Sequence, residues 1–187
     1  MKDALSATAN AGASMIMGSG ALELAEANGR YVVECFDADG NVKWTDEIEN
    51  LVTTVGKNFA LDTLLGGSAY TASVVMGLKG TGTAVIGDTM ASHASWLEVG
   101  GTNAPAFTGN RPVPTFAAAS AGSKATSAAV SFSFTSGGTV AGCFICLAGS
   151  ATKDNTTGTL YSAGDFSGGN RTVAASDTLN VTYTASL

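Results

Sequence analysis

Leu179-Asn180-Val181-Thr182-Tyr183-Thr184-Ala185 carries an apolar residue at every second position, and Val130-Ser131-Phe132-Ser133-Phe134 repeats the pattern upstream. Successive side chains of a strand point to opposite faces, so a period of two buries one face and turns the other outward. The outward positions are Ser, Thr and Asn, polar but uncharged. Between and around these stretches, Val140 to Leu147, Thr159 to Ala163 and Arg171 to Ala175 also read as strands. Ser136-Gly137-Gly138 and Ser167-Gly168-Gly169-Asn170 punctuate them as turns. Short strands with regular Gly-rich punctuation predict a mainly β fold. The expected architecture is a β-sandwich, jelly-roll-like or immunoglobulin-like, whose strand order the sequence does not specify.

Tyr31-Val-Val-Glu-Cys-Phe36 predicts a strand, and Asp37-Ala-Asp-Gly-Asn41 a turn in which Gly40 supplies the positive φ. Val42 to Ile48 then returns as the second arm of a hairpin, with Val42, Trp44 and Ile48 on its apolar side. One short helix is expected next, capped by Thr53 or Thr54 and ended by Gly66-Gly67. Val52, Val55 and Phe59 lie near one face, and Leu61, Leu64 and Leu65 widen the stripe. If Phe59 is buried, Phe59→Ala should cost roughly 3–5 kcal/mol. Thr71 to Leu78 reads as a strand, and Gly80 to Gly87 as a turn with a short strand or loop. Asp88 is expected to cap a helical turn through His93, and Val99 to Arg111 to be loop. Pro112 and Pro114 mark an edge or connection.

Residues 1–29 differ from the rest. They are rich in Ala, Gly, Ser and Met and lack a β pattern. Ala21 to Ala27 suits a short helix stopped by Gly29, too short to be stable alone. We read 1–29 as an extended N-terminal arm that gains order on a neighbour, and 30–187 as the β-sandwich domain. Met15, Ile16, Met17, Leu22 and Leu24 are the arm's apolar anchors and its candidate partner-binding residues.

Charged residues are 13% of the 187, about half the usual share, so the surface must be built largely from Ser, Thr, Asn and Gly. Such a surface suits packing against neighbours, because few charges need desolvating. The net charge of −6 and the absence of a basic run argue against nucleic acid and anionic membranes as partners. No stretch reaches the roughly 18 apolar residues of a membrane span. Lys2-Asp3 and a lone Met15-Ile16-Met17 island do not make a signal peptide. Three Cys in a chain of this size do not suggest a disulfide framework; a reducing compartment such as a bacterial cytoplasm fits better.

No stretch predicts catalysis, a cofactor or a metal. His93, the single histidine, stands five residues from Asp88, a poor spacing for a stacked pair on a helical turn. Cys143-Phe-Ile-Cys146 has no second ligand pair for zinc, and residues three apart on a strand face opposite ways. Asp37-x-Asp39-Gly40-Asn41 lacks the spacing of a calcium loop and is explained by its turn. Gly80-Thr81-Gly82 lacks the rest of a phosphate loop, and Ser150-Ala-Thr-Lys153 reads as a turn rather than a Ser-x-x-Lys catalytic motif. Trp44, Tyr70, Trp96 and Tyr161 suit core or interface better than a sugar platform. Trp96 beside Glu98 is the one pair that suggests a carbohydrate site.

Glu34-Cys-Phe-Asp-Ala-Asp-Gly40, Asn50-Leu-Val-Thr-Thr-Val-Gly-Lys-Asn58, Gly87-Asp-Thr-Met-Ala-Ser-His93, Thr156-Thr-Gly-Thr-Leu-Tyr-Ser-Ala-Gly164 and Asp177-Thr-Leu-Asn-Val-Thr-Tyr183 follow one another in this order along the chain. Together they resemble a group of tailed-bacteriophage virion structural proteins, described as head decoration, head fibre, or tail and neck components. The segment before Tyr31 takes no part in the resemblance. What it implies is a structural part of the particle, without catalysis or cofactor. The expected role is a capsid decoration or cement protein, assembled in the host cytoplasm and homo-oligomeric on the head surface, with the coat subunits (the major capsid protein) as partner. The alternative is a neck, tail or fibre-anchoring part.

Overall fold

Tyr31, Val33 and Cys35 at alternate positions, followed by an Asx turn, start the first sheet. The computed structural model describes residues 27–66 and 73–186. β1 (Asn28–Phe36) and β2 (Val42–Glu49) form the expected hairpin, in register Arg30↔Glu49 to Cys35↔Trp44 with a bulge before Phe36. The Asp37 carboxylate closes the turn by accepting from the Asp39 and Asn41 N–H groups at 2.9 and 2.8 Å. Gly40 takes φ 84° there, the left-handed region that Gly enters without strain. β3 (Leu51–Val52) then leads into α1 (Thr54–Leu65). Thr53 caps this helix by accepting from the Gly56 N–H at 3.1 Å, and Gly66 ends it by donating to the Asp62 carbonyl at 2.8 Å.

The rest of the described chain is β4 (Val74–Lys79), β5 (Glu98–Val99), β6 (Ser123–Ala125), β7 (Val130–Ser133), β8 (Gly138–Val140), β9 (Gly142–Leu147), β10 (Thr159–Asp165), β11 (Arg171–Val173) and β12 (Thr178–Ser186). All pairings are antiparallel. One sheet runs β2-β1-β12-β6, with β7 also paired to β12; the other runs β3-β10-β9-β4-β5; β8 and β11 form a third small ladder. β1 and β12 pair over nine residues, from Asn28↔Ser186 to Phe36↔Thr178, so the two ends of the sandwich body lie side by side in one sheet.

The main core lies between the two large sheets. Tyr31, Val33, Ile48, Phe132, Leu179 and Val181 face Met76, Leu78, Cys143 and Ile145 across it. A second cluster lies on the far side of the β10-β9-β4 sheet, where Val75, Phe144, Cys146 and Leu160 are covered by Met90 and Trp96 from the connection after β4. That sheet is therefore buried on both faces, which is why β9 reads as an unbroken apolar run and not as an alternation. A bulge at Tyr161 lets both Tyr161 and Ser162 face the main core, where the Tyr31 and Ser162 hydroxyls lie 2.6 Å apart.

Several expectations change. The Val140–Leu147 strand is two strands split at Ala141: β8 pairs with β11 and β9 with β10 and β4. Asp88 starts no helix; 80–97 is a run of turns. Gly29 is not a helix stop but a buried residue of β1, where a Cβ would collide with Asn50 and the Tyr183 hydroxyl. The helix has no single buried stripe. Only Gly56 is buried, because its missing side chain lets α1 lie against the backbone of Tyr161. At about 100° per residue, Leu61, Leu64 and Leu65 fall roughly opposite Val55 and Phe59. They are 53, 73 and 80% exposed, and Phe59 is only half-buried.

Candidate functional site

Several of the chain's few charges are buried, and pairing explains where these sit. Asp165, Gly142, Lys79 and Glu98 form one row across β10, β9, β4 and β5. The fully buried Lys79 side chain passes over Gly142 to the Asp165 carboxylate, and its Nζ also donates to the Gly82 carbonyl at 2.5 Å. A Cβ at residue 142 would collide with the Gly164 carbonyl and press on the Lys79 stem at 3.1 Å.

At the end of the row Glu98 accepts a bidentate pair from Arg111, Nε at 2.8 Å and Nη2 at 2.5 Å. Both side chains are buried, 0% exposed for Arg111 and 5% for Glu98. The other Arg111 donors reach the Ser150 and Asn155 carbonyls at 3.0 and 2.8 Å, and the Asp154 N–H donates to Glu98 at 2.9 Å. One ion pair thus ties the 150–155 connection to the sheet edge. Asp88 does the same for 85–96, accepting from the Val85 N–H and the Trp96 indole, both at 2.9 Å.

Two further carboxylates pin the other sheet. Asp46 accepts from Arg171 Nε at 2.9 Å, the Ser167 hydroxyl at 2.8 Å and the Gly168 N–H. Burial alone would raise its pKa, but these donors, Arg171 first, outweigh it and hold the carboxyl below the usual range. Asp177 is buried, pairs with Lys43 and accepts from the Ala174 N–H at 2.7 Å.

The candidate chemical groups fall into structural settings. His93 stacks on Trp96 with ring centroids 4.0 Å apart, and its Nδ1 lies 2.9 Å from the Trp96 carbonyl. Asp88 serves Trp96, not His93. The two thiols of Cys143-Phe-Ile-Cys146 face different cores, as their spacing requires. Burial pushes Cys146 and Cys35 up to about 11 and Cys143 further still. Ser150 closes a turn by accepting from the Thr152 N–H at 3.1 Å. Lys153 lies over the Phe107 ring, 4.1 Å from its centroid. The carbohydrate pair is overturned: Trp96 is buried under the outer loops, and Glu98 is engaged by Arg111.

No family model, curated protein or solved structure matches this chain.

The predicted anchors Met15, Ile16, Met17, Leu22 and Leu24 lie outside the described residues, as does Tyr70. Among the described residues no group of three or more His, Cys, Asp or Glu side chains converges as a metal site, and no helix is long and apolar enough to cross a membrane. Of the residues that organise the loops, Asp46, Lys79 and Arg111 escaped the sequence reading, and Asp88 and Glu98 were given other roles. A signal was present. In a chain so poor in charge, Leu78-Lys79-Gly80 and Leu97-Glu98-Val99 set an ionisable residue inside apolar strand ends, and a charge there is rarely buried without a partner.

Proposed function

We propose that this chain is a bacteriophage capsid decoration or cement protein that binds the outer surface of the head and reinforces contacts between coat subunits. The observation that carries the reading is the use made of the charges. Glu98 with Arg111, Lys79 with Asp165, Asp46 with Arg171 and Asp177 with Lys43 each fix a loop or an edge to the sandwich. Around them the surface is mostly Ser, Thr, Gly and Ala with dispersed charges such as Glu34, Lys57, Asp62 and the exposed Arg30–Glu47 pair, on a body with two buried apolar clusters. Exposed apolar side chains at Leu61, Leu64 and Leu65 add to it. That is the equipment of a part made to fit against other proteins. The resemblance of five stretches between Glu34 and Tyr183 to virion proteins points the same way.

A shell of thin coat subunits is strained by packaged DNA. A β-domain seated across a subunit boundary adds buried area that must be broken before the boundary opens. Each contact is modest, and many copies on a symmetric lattice add up. In this reading the segment before β1, residues 1–26, lengthens each clamp by docking on a neighbour, with Met15, Ile16 and Met17 as the outermost apolar anchors.

The test is occupancy on particles. Purified full-length chain should bind heads stripped of it, and a variant lacking residues 1–26 should bind less while keeping the circular dichroism and melting cooperativity of the β body. Undiminished binding by that variant would remove the arm from the mechanism, and no binding by the full chain would remove the head.

A further inference from the structure

One large sheet of the sandwich is covered on both faces and the other is not. Met90 and Trp96 close the far side of the β10-β9-β4 sheet. On the outer face of the β2-β1-β12 sheet, every outward residue of β1 and β12 is exposed or half-buried among the described residues. β12 turns Asn180, Thr182 and Thr184 outward, opposite Glu34, Val32 and Arg30 of β1. The Ser131 hydroxyl of β7 donates to Asn180 Oδ1 at 2.6 Å, which leaves the Asn180 amide hydrogens for an acceptor across the face.

Four strand columns about 4.8 Å apart and nine residues at about 3.4 Å each make this face roughly 19 by 30 Å. Its projection, on the order of 600 Å², approaches the roughly 800 Å² of accessible surface that each partner gives to a standard interface. Water alone covers such a face in many antiparallel sheets. What selects a second copy here is symmetry. A twofold axis along the Val32–Thr182 row, between two facing copies, reverses the strands and sets Arg30 of each chain against Glu34 of the other. In β12 it sets Thr182 against Thr182 and Thr184 against Asn180. Hydroxyl and amide groups both donate and accept, so like can meet like. Arg30 already pairs with Glu47 of its own chain, so it would lie between two carboxylates. Glu47 meets its own equivalent on the edge strand, where Arg30 neutralises it.

We propose that two copies of this chain pair face to face through the outer side of the β2-β1-β12 sheet, about a twofold axis along the Val32–Thr182 row. Sheets packed in this way lie about 10 Å apart, with their strands within about 30° of alignment. The mutual Arg30–Glu34 pairs fix the register, and the uncharged β12 column leaves few groups to desolvate at the centre. No large aromatic anchor stands there, so the pairing is reversible, toward the micromolar end of the Kd range for an interface of this size. The dimer leaves α1 and the doubly covered sheet on its two outer sides.

The experiment is sedimentation velocity on the full-length chain across a concentration series, with circular dichroism to confirm that each variant is folded. A monomer–dimer equilibrium is expected. Thr182→Arg, which sets two cations against each other on the axis, should raise Kd by about tenfold or more, as should Arg30→Glu and Glu34→Arg singly. The swap R30E/E34R restores opposite charges across the axis and should return Kd to within about threefold of the starting protein. L64S/L65S, on α1 beside the other sheet, should leave Kd unchanged. A chain that stays monomeric throughout overturns the proposal. So does a dimer indifferent to Thr182→Arg, a charge swap no better than the single variants, or a dimer lost only with L64S/L65S. None of these measurements uses a particle, so the dimer and the proposed function stand or fall separately.

Discussion

Arg111→Met isolates the most deeply buried ion pair among the described residues. The substitution keeps an unbranched apolar stem over the Phe144 ring, whose centroid lies 5.5 Å from the guanidinium carbon, and removes every N–H donor. Lost are both bonds to Glu98 and those to the Ser150 and Asn155 carbonyls. Glu98, 5% exposed, keeps the Asp154 N–H and no cation. Removing one partner of a buried pair strands the other charge, at a cost of about 3–5 kcal/mol. For a chain of this length that is a fall in Tm of roughly 6–20 °C. Urea unfolding followed by tryptophan fluorescence would measure it, since Trp96 lies in the same buried layer. The control is Glu98→Leu/Arg111→Met. With no charge left to strand, it should lose only about 1–2 kcal/mol, chiefly the acceptor of the Asp154 N–H. A loss under about 1 kcal/mol for the single variant, or a double variant no better than the sum of the two singles, would refute the claim that this pair is dry and coupled.

Four further outcomes follow from the same geometry. Gly142→Ala has no room for its methyl beside the Gly164 carbonyl and should destabilise by about 2 kcal/mol or more in the same urea assay, whereas Gly169→Ala, at an open turn position with φ 78°, should cost less. The three thiols should stay unreactive toward Ellman's reagent at pH 8 in the folded protein and all react in denaturant, because burial hides them and raises their pKa values. The folded pKa of Asp46 lies below the unfolded value of about 3.9, so its stabilising effect is complete above that pH and disappears as pH falls through the folded value. Tm should therefore drop on acidification below about pH 4, and Asp46→Asn, less stable at neutral pH, should show a shallower drop; an identical slope would exclude Asp46. Leu64→Ser and Leu65→Ser, at exposed positions of α1, should change stability by no more than about 0.5 kcal/mol in thermal melts.

The strands whose two faces differ were legible. β7 and β12 show period two because one side meets the core and the other meets solvent, and the Asp37 turn announced the β1–β2 hairpin. β9 was visible as a strand but not as a doubly buried one. Its outer cover comes from Met90 and Trp96, residues of a long connection whose path no local pattern encodes. The split at Ala141 was hidden for the same reason: Val140 and Gly142 flank it in one uncharged run, and their partners, Arg171 and Asp165, are set by tertiary pairing. The helix misled because apolar content was taken for burial. Gly56, with no side chain, makes the close contact, and three leucines remain outside. The diverging thiols of Cys143 and Cys146 followed from strand geometry alone, whereas the Glu98–Arg111 pair joins β5 to a residue of the following connection and needed the fold.

The central claim is that this polypeptide is a structural component on the outside of a phage head. Counting and locating its copies on purified, DNA-filled particles, by stained-gel densitometry together with a cryo-EM reconstruction, tests it most directly. The account predicts hundreds of copies as β-sandwich density seated over coat-subunit boundaries. A dozen copies or fewer at the neck or tail, or none on the particle, would contradict it.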